Sequence, residues 1–388
     1  MGDIKISDSV IYIGADDRAI DLFESQYKVP NGVSYNSYVI IDEKTAVMDT
    51  ADSRITDVWF EKLGKALNGR IPDYLVVQHM EPDHAGNIQR LAEKYPDMKI
   101  VGNAKTFTMM KQFFSIEKLE GRSVIVKEGD TLSLGNHTLQ FIMAPMVHWP
   151  EVMVTYEQSE KLLFSADGFG KFGALDSDED WTDEARRYYF NIVGKYGAQV
   201  QALLKKVSAL GIKMILPLHG PVLKENLGYY LDKYDTWSSY RAEEKGILIA
   251  YASIHGNTGR AALKLEEMLR ERGEENITVR DLARCDMSQA VADAFRYDRT
   301  VLMAASYDGG VFPAMEDFLN HLKAKLFQNR TVGIVENGSW GPTAGRVMKG
   351  FAEAFKNVTV AEPAVTIRSV LNSDSEKALS ELADCIVK

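Results

Sequence analysis

Short apolar segments alternate with amphipathic segments from residue 247 to the end of the chain at residue 388. The apolar segments are GILIAYAS, NITVRDL, TVLMAAS, TVGIVEN and VTVAEPAVTI, and a helix-like pattern follows each of them. Continuous apolar strands that alternate with helices are typical of a parallel sheet covered on both faces. Residues 247–388 are therefore predicted to form an α/β, doubly wound parallel sheet.

Residues 1–246 have a different pattern. YNSYVIIDEKTAVMDT reads as two strands paired across a turn at residues 42–44, and TLQFIMA reads as another strand. VWFEKLGKALNG, NIQRLAEKY and AKTFTMMKQFF have helical periodicity. Locally paired strands with helices around them predict an α+β sandwich. A helix-like stretch over residues 229–246 ends in a glycine, so the domain boundary is placed there, giving domains 1–246 and 247–388.

Composition narrows the possible chemistry. The chain has two cysteines, Cys285 and Cys385, which are too few for a disulfide scaffold, a cysteine-built zinc site or a four-cysteine iron–sulfur cluster. Its net charge is −10, from 45 basic and 55 acidic residues, which argues against nucleic-acid binding. No apolar run approaches the roughly 20 residues of a membrane span, and a cytoplasmic location is expected. Any metal must be held by histidine and carboxylate.

Metal-capable side chains follow four apolar strands. LVV runs into a segment with four such residues, QFIMAPMV ends at a histidine, KLLFSAD ends at an aspartate, and MILPL precedes a histidine. The candidate ligands are His79, Glu81, Asp83, His84, His148, Asp167 and His219. Pro82 and Gly86 are expected to keep the first segment out of one regular helix, so that its ligands fan out from a loop. Where the chain is extended, alternation could place His79, Glu81 and Asp83 on one side. His137 and His321 lack this context and are interpreted as surface residues.

The ligand set also indicates which metal is bound. Seven residues exceed the four ligands of a tetrahedral zinc and predict a two-metal site. Asp167 has no partner of its own along the chain and is the natural bridge. Three carboxylates without a thiolate favour iron or manganese over zinc.

The first domain resembles the metallo-β-lactamase fold, whose zinc hydrolases carry an HxHxDH motif. This chain has Glu81 in place of the second histidine, and that change resembles the flavodiiron proteins, also called A-type flavoproteins or rubredoxin:oxygen oxidoreductases. The resemblance covers nearly the whole chain and implies an αββα sandwich. It also implies two non-haem irons, one held by His79, Glu81 and His148, the other by Asp83, His84 and His219, with Asp167 as the bridge.

Three loops at predicted strand ends suit a flavin. The loop after GILIAYA resembles the phosphate loop of flavodoxins, with His255 in place of the middle hydroxyl residue. Glycines and hydroxyl groups before a helix expose N–H groups to a phosphate. The candidate FMN contacts are Ser253, His255, Gly256, Asn257 and Thr258; Ser306, Tyr307, Asp308, Gly309 and Gly310; and Asn337, Gly338, Ser339, Trp340 and Gly341. Trp340 is the first candidate for stacking on the isoalloxazine, and Tyr307 the second.

The flavodiiron resemblance implies that FMN supplies electrons to the diiron site, which reduces O2 to water, NO to N2O, or both. It also implies a head-to-tail homodimer or a dimer of such dimers. Because two cysteines cannot form a rubredoxin site, an external donor is expected, either rubredoxin or, in an archaeal setting, reduced deazaflavin. The competing hypotheses are a zinc hydrolase with an appended flavodoxin domain and an electron carrier with a decayed metal site. Tyr188, Tyr189 and Tyr196 fall in a segment that either covers the metal site or packs as an amphipathic helix.

Overall fold

The computed structural model of the protein describes residues 4–114 and 121–388. These residues form two compact units. The first contains the chain up to Tyr188 together with Ala198–Asp235, and the second contains Tyr189–Gly197 together with Thr236–Lys388. Within the described ranges, no helix is both long and apolar enough to cross a membrane.

Fifteen strands are described in the first unit. They are β1 (Val10–Tyr12), β2 (Ala15–Asp17), β3 (Leu22–Phe23), β4 (Tyr27–Lys28), β5 (Val33–Tyr35), β6 (Tyr38–Ile40), β7 (Ala46–Met48), β8 (Tyr74–Val76), β9 (Lys99–Gly102), β10 (Ser123–Ile125), β11 (Thr131–Ser133), β12 (Thr138–Met143), β13 (Met153–Glu157), β14 (Leu162–Phe164) and β15 (Met214–Leu216).

Most of these strands belong to two mixed sheets. One has the order β1-β6-β7-β8-β9-β10, antiparallel up to β7 and parallel beyond it. The other has the order β11-β12-β13-β14-β15, in which only β14 and β15 are parallel. β2 pairs with β5, and β3 with β4, in two small ribbons. The antiparallel pair β6–β7 confirms the turn predicted at residues 42–44.

Helices connect these strands. They are α1 (Thr56–Leu67), α2 (Pro82–Ala85), α3 (Ile88–Lys94), α4 (Ala104–Phe113), α5 (Trp181–Tyr188), α6 (Gly197–Val207) and α7 (Leu227–Ser238). A 3-10 turn at Ser53–Ile55 precedes α1, and a π-helical turn at Tyr189–Val193 and a 3-10 turn at Gly194–Tyr196 follow α5. The helices predicted from VWFEKLGKALNG, NIQRLAEKY and AKTFTMMKQFF are confirmed as α1, α3 and α4.

The two large sheets share one apolar core. Ile40 and Val76 of the first sheet and Phe141 and Phe164 of the second belong to the same cluster, and each is at most 1% exposed. Burying a large apolar side chain contributes roughly 1.5–3 kcal/mol, so this layer stabilises the packing of one sheet on the other. The αββα sandwich predicted for this part of the chain is confirmed.

The second unit is a parallel sheet with helices between its strands. Its strands are β16 (Glu244–Ala252), β17 (Ile277–Asp281), β18 (Tyr297–Tyr307), β19 (Gly310–Val311), β20 (Thr331–Asn337), β21 (Thr359–Val360) and β22 (Val365–Ile367). Its helices are α8 (Asn257–Glu271), α9 (Met287–Arg296), α10 (Pro313–Ala324), α11 (Ala344–Ala354) and α12 (Ser373–Ile386). The order β17-β16-β18-β20-β21, with β22 also on β20 and all of these pairs parallel, confirms the doubly wound sheet.

One predicted strand is wrong in extent. The segment VTVAEPAVTI forms two short strands, β21 and β22, rather than a single one. Pro363 lies between them and has no N–H to donate to the ladder. Pairing with β20 therefore stops at Val360 and resumes at Val365. The break leaves β22 ending at Ile367, beside the end of β20.

The segment Tyr189–Gly197 packs within the second unit. The ring of Phe190 stacks on Phe295, with centroids 4.2 Å apart and planes 10° from parallel. Asn191 Nδ2 donates to the carbonyl of Ser288 at 3.1 Å, and the Tyr240 hydroxyl donates to the carbonyl of Gly194 at 2.8 Å. Of the two hypotheses for the segment that contains Tyr188, Tyr189 and Tyr196, packing therefore accounts for Tyr189–Gly197.

Candidate metal centre and cofactor cavity

The seven candidate ligands form two adjoining groups in the first unit. His79 and Glu81 follow β8, Asp83 and His84 lie in α2, and His148, Asp167 and His219 follow β12, β14 and β15. One group is His79, Glu81, His148 and Asp167, and the other is Asp83, His84 and His219. Within each group, one ligand atom from every residue lies within 4.8 Å of the others. The four strand ends singled out in the sequence thus meet at one place.

Distances in the first group centre on Glu81 and Asp167. Glu81 Oε2 lies 3.1 Å from His79 Nε2 and 3.0 Å from His148 Nε2. Asp167 Oδ2 lies 3.2 Å and 3.1 Å from the same two nitrogens. His79 and His148 therefore each direct their Nε2 atom at the carboxylates of Glu81 and Asp167.

The second group has the same character. Asp83 Oδ2 lies 3.3 Å from His84 Nε2 and 3.2 Å from His219 Nε2, and these two nitrogens are 3.1 Å apart. The other oxygen of Asp167, Oδ1, lies 3.2 Å from His84 Nε2 and 3.7 Å from His219 Nε2. Asp167 thus presents one oxygen to each group, which is the geometry that a bridging ligand needs.

The carboxylates at the centre have unused lone pairs. Among the described residues, neither oxygen of Asp83 or of Asp167 accepts a hydrogen bond, although both side chains are buried. A buried carboxylate without hydrogen bonds is costly unless a cation compensates it. Nitrogen and oxygen donors directed at common centres, with no thiolate, suit divalent iron or manganese. The residues present therefore fit two metal ions.

The electrostatics of the two groups differ. Burial would lower the pKa of His79 and of His148, but the carboxylates, with Asp167 foremost, outweigh it. The pKa of His148 rises to about 9, and that of His79 lies well above its usual value. Burial would raise the pKa of Asp167, but these histidines hold it well below its usual range. In the second group, burial raises the pKa of Asp83 to about 7 and lowers that of His219. A metal in the first group must therefore displace protons.

The local shape of the first segment differs from the prediction. Glu81 is extended, but the chain then forms one helical turn, α2, instead of a loop. Pro82 starts this turn, where its missing N–H has no intrahelical partner to lose. The turn directs Asp83 and His84 towards His219, so Asp83 is grouped with these two histidines and not with His79 and Glu81.

The interpretation of His137 as a surface residue was also wrong. It is 6% exposed, and its Nδ1 lies 3.0 Å from a carboxylate oxygen of Glu157, which is fully buried. Its Nε2 lies 2.9 Å from Ser9 Oγ. This histidine lies in the turn between β11 and β12, apart from the metal groups, and it follows no apolar strand that would distinguish it in the sequence.

Sequence reasoning missed residues that orient the ligands. The carboxylate of Glu151 accepts from the imidazole of His79, and the carbonyl of Ser34 from that of His219. Glu151 follows His148 by only three residues, and that spacing was the available signal. Tyr188 lies beside the site, with its ring centroid 5.6 Å from that of His219.

The second unit contains a cavity of about 510 Å³ at the carboxyl ends of its central strands. Thirteen of the fifteen predicted cofactor contacts line it: Ser253, His255, Asn257, Thr258, Ser306, Tyr307, Asp308, Gly309, Asn337, Gly338, Ser339, Trp340 and Gly341. The prediction missed Ile254, Ala305, Thr343 and Ser369. Ser369 follows β22. The prediction treated VTVAEPAVTI as one strand, so it did not identify β22 as a separate strand whose end reaches the cavity.

Gly256 and Gly310 are the two predicted contacts that do not line the cavity. Gly256 caps α8 with φ at 86°, a left-handed conformation that favours glycine. Its N–H donates to Ser253 Oγ at 3.0 Å, so it stabilises the conformation of the loop without lining the cavity. Gly310 instead pairs with Tyr307 in the β18–β19 hairpin.

The cavity has the features that a flavin phosphate and ring require. No side chain makes a capping hydrogen bond at the start of α8, so the N–H groups of its first turn face the loop. These groups and the positive end of the helix favour a phosphate. Ser306 Oγ accepts from the N–H groups of Thr343 and Ala344 at 2.8 and 3.1 Å, which fixes the opposite wall. Trp340 is 94% exposed at the margin and is available to cover a planar ring.

Comparisons with known proteins agree with both halves of this description. The family model described as "ODP family beta lactamase" matches residues 33–220. The nitric oxide reductase of Moorella thermoacetica is 30% identical and aligns over 98% of this chain and 96% of its own. The anaerobic nitric oxide reductase flavorubredoxin of Vibrio vulnificus is 28% identical over 89% of this chain and 71% of its own. The structure of the rubredoxin oxygen:oxidoreductase of Desulfovibrio gigas superposes with a TM-score of 0.91 at 26% identity, over 99% of this chain and 97% of that one.

A metallo-β-lactamase fold with two groups of candidate metal ligands, followed by a flavodoxin-like sheet with a cavity at its strand ends, is typical of one class of redox flavoproteins. The chain belongs to the flavodiiron protein family. It is accordingly an oxidoreductase, and the alternative of a zinc hydrolase with an appended flavodoxin domain is not favoured.

Proposed function

We propose that the protein reduces O2 to water, NO to N2O, or both, at a non-haem diiron centre that receives electrons from FMN. The position of Asp167 carries this proposal, because its two oxygens face two separate groups of nitrogen and oxygen ligands. The names of the relatives, nitric oxide reductase and rubredoxin oxygen:oxidoreductase, support the same chemistry.

We assign one iron to His79, Glu81 and His148 and the other to Asp83, His84 and His219, with Asp167 between them. Two irons held there would supply reducing equivalents and binding positions for a diatomic molecule. The chain supplies fixed ligands at four strand ends, whose burial keeps water from most of the site. Burial and the nearby carboxylates raise the pKa of the Tyr188 hydroxyl well above its usual value. This hydroxyl therefore stays protonated beside the site.

We assign FMN to the cavity of the second unit, with its phosphate at the loop from Ser253 to Thr258. Thr258 lies in the first turn of α8, and it lines the cavity together with Ser253. The ring is assigned to the side bounded by Tyr307 and Trp340. Residues 1–246 and 247–388 are proposed as the iron and flavin domains of the chain.

A head-to-tail homodimer, or a dimer of such dimers, is part of the proposal. In that arrangement the flavin of one subunit lies beside the irons of the other. The exposed rim of the cavity supports it: Ile254, Tyr307 and Trp340 are 40%, 45% and 94% exposed. Rubredoxin is the proposed external donor, and a cytoplasmic location is proposed with it. Sedimentation velocity tests the assembly, and a monomer at all concentrations contradicts it.

The function is tested by loading the protein with iron and FMN under argon and supplying reduced rubredoxin. We expect two irons and one FMN per chain, and consumption of O2 or NO that exceeds the rate without protein. A protein loaded in this way that consumes neither gas contradicts the proposal. Tight retention of zinc together with ester or lactam hydrolysis would instead support the hydrolase.

A further inference from the structure

Glu151 is a fully buried carboxylate outside the proposed ligand set. Its Oε1 accepts from the N–H of Met80 at 2.8 Å and lies 2.9 Å from Nδ1 of His79. A carboxylate oxygen that already accepts from a backbone N–H is an acceptor for the imidazole as well, so Nδ1 of His79 carries the proton in this contact. That leaves Nε2 of His79 as the nitrogen directed at Glu81 and Asp167, at 3.1 and 3.2 Å.

The two histidines of the second group, His84 and His219, have weaker outer partners. Nδ1 of His219 donates to the neutral carbonyl of Ser34 at 2.8 Å. Nδ1 of His84 is buried and has no hydrogen-bond partner among the described residues. A carboxylate partner makes an imidazole a stronger donor to a metal than a carbonyl partner does, and it holds the ring orientation more firmly. The two groups of candidate ligands therefore differ in the outer hydrogen-bond partners of their histidines.

We propose that Glu151 is a positioning residue that makes the group of His79, Glu81 and His148 the tighter and more electron-rich of the two iron sites. This inference rests on the proposed function, since it requires that both groups bind iron. It predicts that the irons bind in sequence, and that the first occupies the half of the site backed by Glu151.

The experiment compares the metal-free protein with its Glu151→Gln variant in anaerobic titrations with ferrous iron. Glutamine keeps the size and an acceptor oxygen but removes the charge. Outer partners of this kind are worth about 10–100-fold in metal affinity, so one of the two binding steps should weaken by that factor while the other stays within about threefold. Glu157→Gln is the matched control, because Glu157 is equally buried and also faces a histidine, His137, away from the site.

A spectroscopic measurement separates positioning from a general loss of structure. With 57Fe, the wild-type protein should give two Mössbauer doublets of equal area, and Glu151→Gln should shift only the doublet of the iron that binds first. Glu151→Asp, which keeps the charge on a shorter side chain, should restore part of the lost affinity. FMN content reports on the fold of the second unit and should be equal in all variants.

Equal affinities in Glu151→Gln, Glu157→Gln and the wild-type protein would overturn the inference, as would equal weakening of both iron sites. If neither Glu151 variant folds, the inference is also wrong, because it assigns Glu151 to the metal rather than to folding. Failure of the proposed function is distinguishable, because the wild-type protein itself would then not bind two irons.

Discussion

Replacing Asp167 with asparagine tests the proposed bridge. The change keeps the size of the side chain and removes one negative charge that both metal groups share. Asp167 is fully buried, and its oxygens lie 3.1–3.7 Å from the ring nitrogens of His79, His84, His148 and His219. The substitution therefore acts on both irons at once.

The magnitude follows from two opposing effects. At an effective dielectric constant of about 20, one pair of unit charges 4 Å apart interacts by about 4 kcal/mol, and a dication doubles that interaction. Against this, the loss of Asp167 lowers the raised pKa values of His79 and His148, so fewer protons compete with the metal. Each pKa unit recovers about 1.4 kcal/mol. Because the loss of attraction for a dication is the larger effect, we expect a net loss of about 100-fold in affinity for each iron, which is about 2.7 kcal/mol.

The assay measures iron per chain after anaerobic loading and desalting, together with affinity from chelator competition. Asp167→Asn should retain fewer than half of the irons of the wild-type protein and an unchanged amount of FMN. Glu157→Gln serves again as the buried-carboxylate control and should retain all of them. Two tightly held irons in Asp167→Asn would refute the bridge.

Three further changes test other parts of the account. Glu157→Gln should lower the free energy of unfolding by about 2 kcal/mol. In the folded state the pKa of its partner His137 is raised and that of Glu157 is lowered. The stability difference between the wild-type protein and the variant should therefore be full between about pH 4.5 and 6.5, and it should shrink as the pH rises through the His137 pKa. A pH-independent difference in urea unfolding contradicts this prediction. Gly256→Ala forces a left-handed alanine at a cost of about 1–2 kcal/mol, so the affinity of the metal-loaded protein for FMN should fall about tenfold in a fluorescence titration, and unchanged affinity refutes the loop assignment. Trp340→Ala removes a stacking contact worth about 1 kcal/mol, so FMN affinity should fall about fivefold, whereas Trp340→Phe should retain most of it; an alanine variant with wild-type affinity excludes stacking.

The architecture could be predicted because the sequence expresses it locally. Apolar strands such as GILIAYAS are followed by amphipathic helices, and that pattern alone specifies a parallel sheet. The metal groups were predictable for a related reason: each ligand follows an apolar strand, and strand ends converge at one edge of a sheet. Glu81 further distinguished the site from a zinc hydrolase. These inferences used only neighbours in the sequence.

The errors involve contacts between distant residues. His137 is buried because strands that lie far apart in the chain bring it to Glu157 and Ser9. Glu151 orients His79 from 72 residues away in sequence. The helical turn α2 forms although the segment contains a proline, because Pro82 stands at the first position, where a proline is tolerated. Patterns of period two or 3.6 carry no information on such pairings.

The central claim is that electrons pass from FMN to the irons and then to O2 or NO. The most direct measurement reduces the iron- and FMN-loaded protein under argon, removes the donor, and mixes it with a limiting amount of each gas while flavin absorbance and product are followed. The account predicts rapid reoxidation of FMN, with four electrons lost per O2 consumed and no hydrogen peroxide formed, or two electrons lost per N2O formed from two NO. It predicts much slower reoxidation in protein that holds FMN but no iron. Equal rates with and without iron would contradict it.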